Sequence, residues 1–472
     1  MAAQPEFLNE NIEIELASLL GSNGTSIDVR YSITDLVIQE NIFSYCMNGS
    51  VSIMDGLGLI DKLPIIGDEL FTISFRSPES GNIFVKKTFF VYSVYNRTKV
   101  DDKLEHYTLG LISIEGMIDS LTNIDINFVG KTYSEIVKNI FDSYVLKSNI
   151  KFRGVRLIDY PKFKKTLSAD STDGLQSITV NGERPFDFIQ RCVDNSRSTE
   201  YPDSDFVFYE DRDEFVFTPI SYLLEQDVVE TFIMGDHGIE ERTLNKVDNN
   251  TRYETISQFE YTGGNDVIRG SSGGKFGNRI DVIDPITKRF KSIVNNYLNI
   301  QKSKDKFKTL DRNNIIIDES IFKEDTGQSN KQYHVARLFN DTYQEIEYIK
   351  NRITEKNDRF IFHADTAYKS YGRKAMKFNL LDNTTLTIAV PGNSNLLCGK
   401  TVNVNIPISS SLEEDKMNPY SHLFGNKKNN KFLITSLTHN FIGNEGRYFT
   451  YLTLAKDSYF VDVNKKYSGR YK

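Results

Sequence analysis

A β-hairpin pattern written twice, once near each end, limits what this chain can fold into. Residues 431–456 read KFLITSLTHNFIGNEGRYFTYLTLAK. Leu433, Thr435, Leu437 and His439 fall on one side of an extended chain, and Phe432, Ile434 and Ser436 on the other. A turn at 443–446 follows, and Phe449, Tyr451 and the series Thr450, Leu452, Leu454 alternate on the way back, which is a hairpin signature. Residues 89–96, FFVYSVYN, followed by a charged turn at 99–103 and then Tyr107-Thr108-Leu109-Gly110-Leu111, repeat the pattern near the N-terminus. The repeat extends upstream: Gly67-Asp68-Glu69 precedes an alternating strand at 70–74, and Gly399-Lys400 precedes another at 401–406.

Strand alternation alone carries little information. The shared order of glycine turn, strand, gap and hairpin carries more, and it predicts two related β-barrel or sandwich domains separated by unrelated inserts. The fold class expected is therefore α+β and β-dominated, with two similar tube-type β-domains and α/β inserts. The expected layout is a first β-domain over 1–126, an α+β insert over 127–228, and a second β-domain made of 229–265 and 365–460. An insert over 266–364 interrupts the second domain, and a short basic tail covers 461–472.

At 472 residues the chain is too long for one core and long enough for two to four. With 57 basic and 64 acidic residues its net charge is −7, which argues against a dedicated nucleic-acid binder. Cys46, Cys192 and Cys398 are far apart and odd in number, as expected of buried thiols in a reducing compartment. The first residues lack a basic start and an apolar run, so no secretion signal is expected, and no stretch of eighteen apolar residues predicts a membrane span.

Between the β-domains, Thr132-Tyr133-Ser134-Glu135 has the form of a capping box and opens an amphipathic helix expected over 132–146. Pro185 suits the first turn of a second helix with Phe188, Ile189, Cys192 and Val193 on its apolar stripe. A tight hairpin at 205–217 should follow it. Further on, 302–314 is polar enough for a mobile loop, and 332–356 is expected to be a helix with Val335, Leu338, Phe339, Ile346, Ile349 and Ile353 on one face.

Signals for catalysis are weak. Gly270-Ser271-Ser272-Gly273-Gly274-Lys275-Phe276 hints at a phosphate loop, but a glycine is displaced and Phe276 stands where Ser or Thr is needed, so a flexible surface loop is expected. Six histidines, His106, His237, His334, His363, His422 and His439, show no metal-binding spacing, and His439 is expected to pack. Asp203, Asp205, Asp211, Asp213 and Glu214 alternate with Phe206, Phe208, Phe215 and Phe217, as in a hairpin with a solvated turn. No Ser-His-Asp set has a Gly-x-Ser-x-Gly setting, so no active site, metal or cofactor is expected.

The order of elements resembles that of the central baseplate hub protein of contractile-tailed bacteriophages, related to the hub portion of type VI secretion spike proteins. The resemblance rests on 183–191 (ERPFDFIQR) with its trailing hairpin, on 386–399 with Val390-Pro391-Gly392 and Leu396-Leu397-Cys398-Gly399, and on the terminal hairpin. It covers about residues 27–460 and implies a structural role. Three chains with two similar domains each would form a ring of six, matching a six-fold tail tube on one face and a three-fold central spike on the other. It implies as partners a homotrimer, the spike, a tail tube initiator and baseplate wedge components, with DNA passing through a channel, and a place in the virion tail after assembly in the host cytoplasm. Candidate interface residues are Phe432, Ile434, Tyr448, Thr450 and Leu452 in the second hairpin and Phe90, Tyr92, Tyr107 and Leu109 in the first. The alternative is a tail-associated or cell-surface carbohydrate-binding or glycan-degrading β-sandwich protein, which the absence of Trp weakens.

Overall fold

The structure is a computed structural model, and it describes residues 13–21, 23–63, 65–76, 83–160, 165–201, 205–234, 255–264, 266–283, 290–303, 307–310, 333–338, 367–406, 430–443 and 446–458. It is β-dominated with helices confined to the connections. The first β-module runs β1 (Glu13–Leu20), β2 (Ser26–Asp28), β3 (Ile33–Asn41), β4 (Asn48–Asp55), α1 (Leu59–Lys62), β5 (Leu70–Arg76), β6 (Ile83–Asp101) and β7 (Leu104–Ser113), and ends in α2 (Ile114–Ser120). A 3-10 turn at Arg30–Ser32 separates β2 from β3, and there Asp28 accepts from the Arg30 amide at 3.0 Å.

The insert follows as β8 (Ile124–Lys131), α3 (Tyr133–Ile140), β9 (Lys151–Phe152), β10 (Val155–Arg156), β11 (Leu167–Ala169), β12 (Gln176–Glu183), α4 (Pro185–Asn195), β13 (Phe206–Glu210), β14 (Phe215–Pro219) and α5 (Ile220–Glu225). The capping box forms as expected. Thr132 Oγ1 accepts from the Glu135 amide at 3.3 Å, and Glu135 Oε2 accepts from the Thr132 amide at 2.9 Å. The apolar faces of α3 and α4 meet Phe206, Phe208, Phe215 and Phe217 of the hairpin in one core. Each large side chain buried there contributes roughly 2 kcal/mol.

The second β-module contains β15 (Val228–Ile233) and β16 (Gln258–Gly264), then a subdomain of α6 (Val267–Ser272), β17 (Gly277–Ile283), β18 (Phe290–Asn296), α7 (Tyr297–Lys302), β19 (Tyr333–Leu338) and α8 (Ala367–Leu381). It closes with β20 (Thr384–Pro391), β21 (Thr401–Asn405), β22 (Lys431–Ile442) and β23 (Arg447–Lys456). The two modules share one sheet in the order β16-β20-β23-β22-β3-β4-β7-β6-β5-β1-β2, with β21 on β22 and β15 on β21. Two hydrophobic clusters lie along this sheet, one mainly on β1–β7 that also takes in Phe441 and Tyr448, the other mainly on β20–β23 that also takes in Ile42 and residues of the insert.

Three expectations about the second module need correction. Residues 333–338 form a strand parallel to β17, not the start of a helix, because six residues fit either period and pairing with β17 decides; Phe339, Ile346, Ile349 and Ile353 lie outside the described residues. The glycine-rich 270–276 segment is no surface loop: Lys275 and Phe276 are buried, and Lys275 Nζ donates to Asn383 Oδ1. Within 302–314, Phe307 is buried and the Leu310 amide donates to Asp457 Oδ1 at 3.0 Å, so the described part is tied to the C-terminal end of β23.

Candidate assembly interface

The ladders align the two modules residue by residue. In the first, strands are ordered β3-β4-β7-β6-β5-β1; in the second, β16-β20-β23-β22-β21-β15. Val94 faces Leu109 across the first hairpin as Leu437 faces Leu452 across the second. Each hairpin carries a bulge at the matching place, between Val91 and Ser93 and between Ile434 and Ser436. The ends of each set are drawn together in the same way: the Val29 amide donates to Ala17 O at 2.9 Å, and the Ile256 amide to Ile233 O at 2.9 Å. The repeat breaks at the outermost strand, since β1 pairs antiparallel with β5 and β15 parallel with β21, and in the first hairpin, which carries two further bulges, between Tyr95 and Thr98 and between Lys99 and Asp101.

The modules are joined edge to edge. Ser436–Ile442 of β22 pairs antiparallel with Asp35–Asn41 of β3, in a register that sets Thr438 opposite Gln39 and Asn440 opposite Val37. Two further bonds extend the joint, from the Ile42 amide to Thr435 O at 3.0 Å and from Ser436 Oγ to Glu40 O at 3.0 Å. Beside it lies a buried polar group. Glu40 is fully buried and its Oε2 accepts from the Cys398 amide at 3.2 Å. Burial, and then the nearby Asp211 charge, push the Glu40 carboxyl up to about 7. On β22, His439 accepts from or donates to Tyr448 Oη at 2.7 Å and is held neutral by burial.

A second buried charge cluster fixes the insert to the first module. Glu210 Oε1 lies 2.6 Å from Lys87 Nζ and 2.8 Å from Lys165 Nζ, and Oε2 accepts from the Met47 amide at 2.7 Å. Burial would raise the Glu210 carboxyl, but the two ammonium groups outweigh it and hold it below the usual carboxylate range. The expected solvated turn holds at Asp213, which is exposed, and is corrected for the carboxylates before it. Asp205, Glu210 and Asp211 are buried, because Asp205 binds the Ser221 amide and hydroxyl while Asp211 binds the Asp213 and Glu214 amides; Asp203 lies outside the described residues. Among the described residues no group of three potential ligands could hold a metal ion.

The sequence-derived interface residues separate sharply. Phe432, Ile434, Tyr448, Thr450, Leu452, Phe90, Tyr107 and Leu109 are buried in the chain's own cores, while Tyr92 is 56% exposed. β7 and β23 are central strands with neighbours on both sides, so they offer no free backbone edge. Among the described residues of the large sheet, edges with no strand beside them include the distal half of β6 and β16. Sequence reasoning passed over them, because strand pairing, not side-chain pattern, decides which edge stays open.

Among solved structures, the chain is similar to a tail protein from Neisseria meningitidis, with 11% identity over 94% of this chain and 96% of that one at a TM-score of 0.50. The two share a fold. Similarity extends to the 43 kDa tail protein of prophage MuSo2 from Shewanella oneidensis, at 10% identity over 94% and 98% with a TM-score of 0.49. It extends also to an Escherichia coli component of the type VI secretion system, described as structurally similar to T4 bacteriophage tail proteins, at 9% identity over 96% and 79% with a TM-score of 0.42. No protein-family model and no curated protein matches the chain. No helix among the described residues is long and apolar enough to cross a membrane.

Proposed function

We propose that this chain is a structural hub of a phage-type tail baseplate. Three copies form a ring of six near-equivalent β-modules that meets a six-fold tail tube on one face and a three-fold spike on the other, around a channel through which DNA passes. The observation that carries this reading is the repeat: two modules of one strand order, bulged at the same place, joined edge to edge within one chain. A chain carrying two such modules supplies pseudo-six-fold symmetry from three copies, which is the geometry an adaptor between those symmetries requires. The fold shared with a Neisseria tail protein supports the tail assignment. Spike, tube initiator and wedge proteins are its partners in this reading, it sits in the virion tail after assembly in the host cytoplasm, and its role is mechanical instead of catalytic.

The test is the mass in solution. A species near three times 54.1 kDa, alone or on addition of a spike protein, is expected. A chain that stays monomeric at all concentrations with and without spike would overturn the ring. Turnover of cell-wall polymers by the purified chain would overturn the mechanical role.

A further inference from the structure

One joint is filled within the chain, and among the described residues two strand edges match its two sides without a strand beside them. On β22 the edge beyond the bulge is occupied by β3. On β6, the strand matching β22, the edge beyond the bulge faces no other strand among the described residues; β5 stops at Phe90 and β7 lies on the opposite side. On β16, the strand matching β3, pairing is with β20 alone among the described residues. Each open edge is the counterpart of one side of the filled joint.

We infer that the distal half of β6, residues 93–100, pairs antiparallel with β16 of a second copy of this chain, reproducing the β22·β3 joint between subunits. The inference rests on the ring reading and specifies which edges close it. Carrying the β22·β3 register across the module alignment sets Tyr95 opposite Gly263, Thr98 opposite Glu260 and Lys99 opposite Phe259. Thr98 and Glu260 then share one face of the new ladder, and Lys99 and Phe259 the other. Both edges fit this use. Arg97, Thr98 and Lys99 on one side and Glu260 and Thr262 on the other are exposed, and Val100 is 56% exposed on a long strand that is otherwise an aggregation liability. The contact is head-to-tail, so each chain uses its β6 edge on one neighbour and its β16 edge on the other, and the ring closes when the rotation per subunit is one third of a turn.

Cysteine pairs placed across the inferred ladder test it. Thr98→Cys with Glu260→Cys, and Lys99→Cys with Phe259→Cys, are made in the full chain, with the four single variants as controls. Adjacent pairs in an antiparallel ladder alternate between wide and narrow spacing, so one of the two should satisfy disulfide geometry. The native cysteines are buried and do not compete. Thr98 and Glu260 are exposed, so that pair keeps the fold intact. After mild oxidation, loss of the monomer band into a covalent dimer and trimer that collapse on reduction is expected for at least one pair, with no trimer from any single variant. A trimer by light scattering without crosslinks in either pair would overturn these edges while leaving the ring standing. A monomer without crosslinks at all concentrations, spike present or absent, would overturn the ring itself.

Discussion

The Cys398 amide donates to the Glu40 carboxylate over 3.2 Å, binding residues 358 positions apart beside the joint between the two β-modules. This places an acid with its affinity for protons raised to about 7 beside the contact that sets the modules' relative position. The Glu40 Oε1 atom is buried with no hydrogen-bond partner among the described residues, so the charged form is poorly compensated.

The sign of the pH effect follows from linkage. In the folded chain Glu40 holds its proton to about pH 7, and in the unfolded chain only to about 4.5. Its contribution to stability is therefore full below 4.5 and is lost as pH rises toward 7, by on the order of 3 kcal/mol. Denaturant titrations of wild type and Glu40→Gln across pH 4.5 to 7 should diverge steadily, the variant losing less stability as pH rises. Parallel curves would show that Glu40 is already ionised when folded.

His439 works in the opposite direction. Burial, followed by the Arg212 charge, lowers it to about 3, so the unfolded chain takes up a proton below about 6.5 that the folded chain refuses until about 3. Its contribution is present above 6.5 and lost as pH falls through that window. A His439→Gln variant should resist acid unfolding better than wild type relative to its own stability at pH 7. An unchanged acid midpoint difference would refute a buried neutral imidazole.

Glu210 is the sole carboxylate within salt-bridge distance of both Lys87 and Lys165 among the described residues. Replacing it by Gln leaves two buried ammonium groups facing a neutral amide and should cost roughly 3–5 kcal/mol, read as a fall in denaturation midpoint. Asp102→Asn, which breaks only the exposed contact with Lys99, should leave that midpoint where it is. Equal effects from the two variants would mean that the buried cluster is hydrated.

Gly399 combines two constraints. Its φ is +77°, and an added Cβ would lie 2.1 Å from Tyr209 Oη. Gly399→Ala should cost about 1–3 kcal/mol from the clash, with roughly 1 kcal/mol more from the left-handed backbone. Adding Tyr209→Phe removes the clashing oxygen, so the double variant should recover part of the loss and retain the backbone share. Thermal melts of the single and double variants separate the two contributions.

Local pattern and tertiary structure divided the determination of this protein between them. The amino-acid sequence alone determined both hairpins, the capping box of α3, the proline-led start of α4 and the β-dominated class, because each depends on period, turn chemistry or capping within about ten residues. The 333–338 segment went the other way: six residues satisfy two periods, and the parallel partner β17 lies more than fifty positions upstream. Burial of Glu210, Asp211 and Lys275 was equally out of reach, since charged residues read as solvated until distant partners such as Lys87 and Asn383 arrive. Interface choice shows the same division. Alternating apolar side chains marked the hairpin faces, but those faces fill the chain's own cores. Which edges remain open was decided only by the order of strands in the sheet, because a strand's hydrogen-bonding edge is independent of its side-chain pattern.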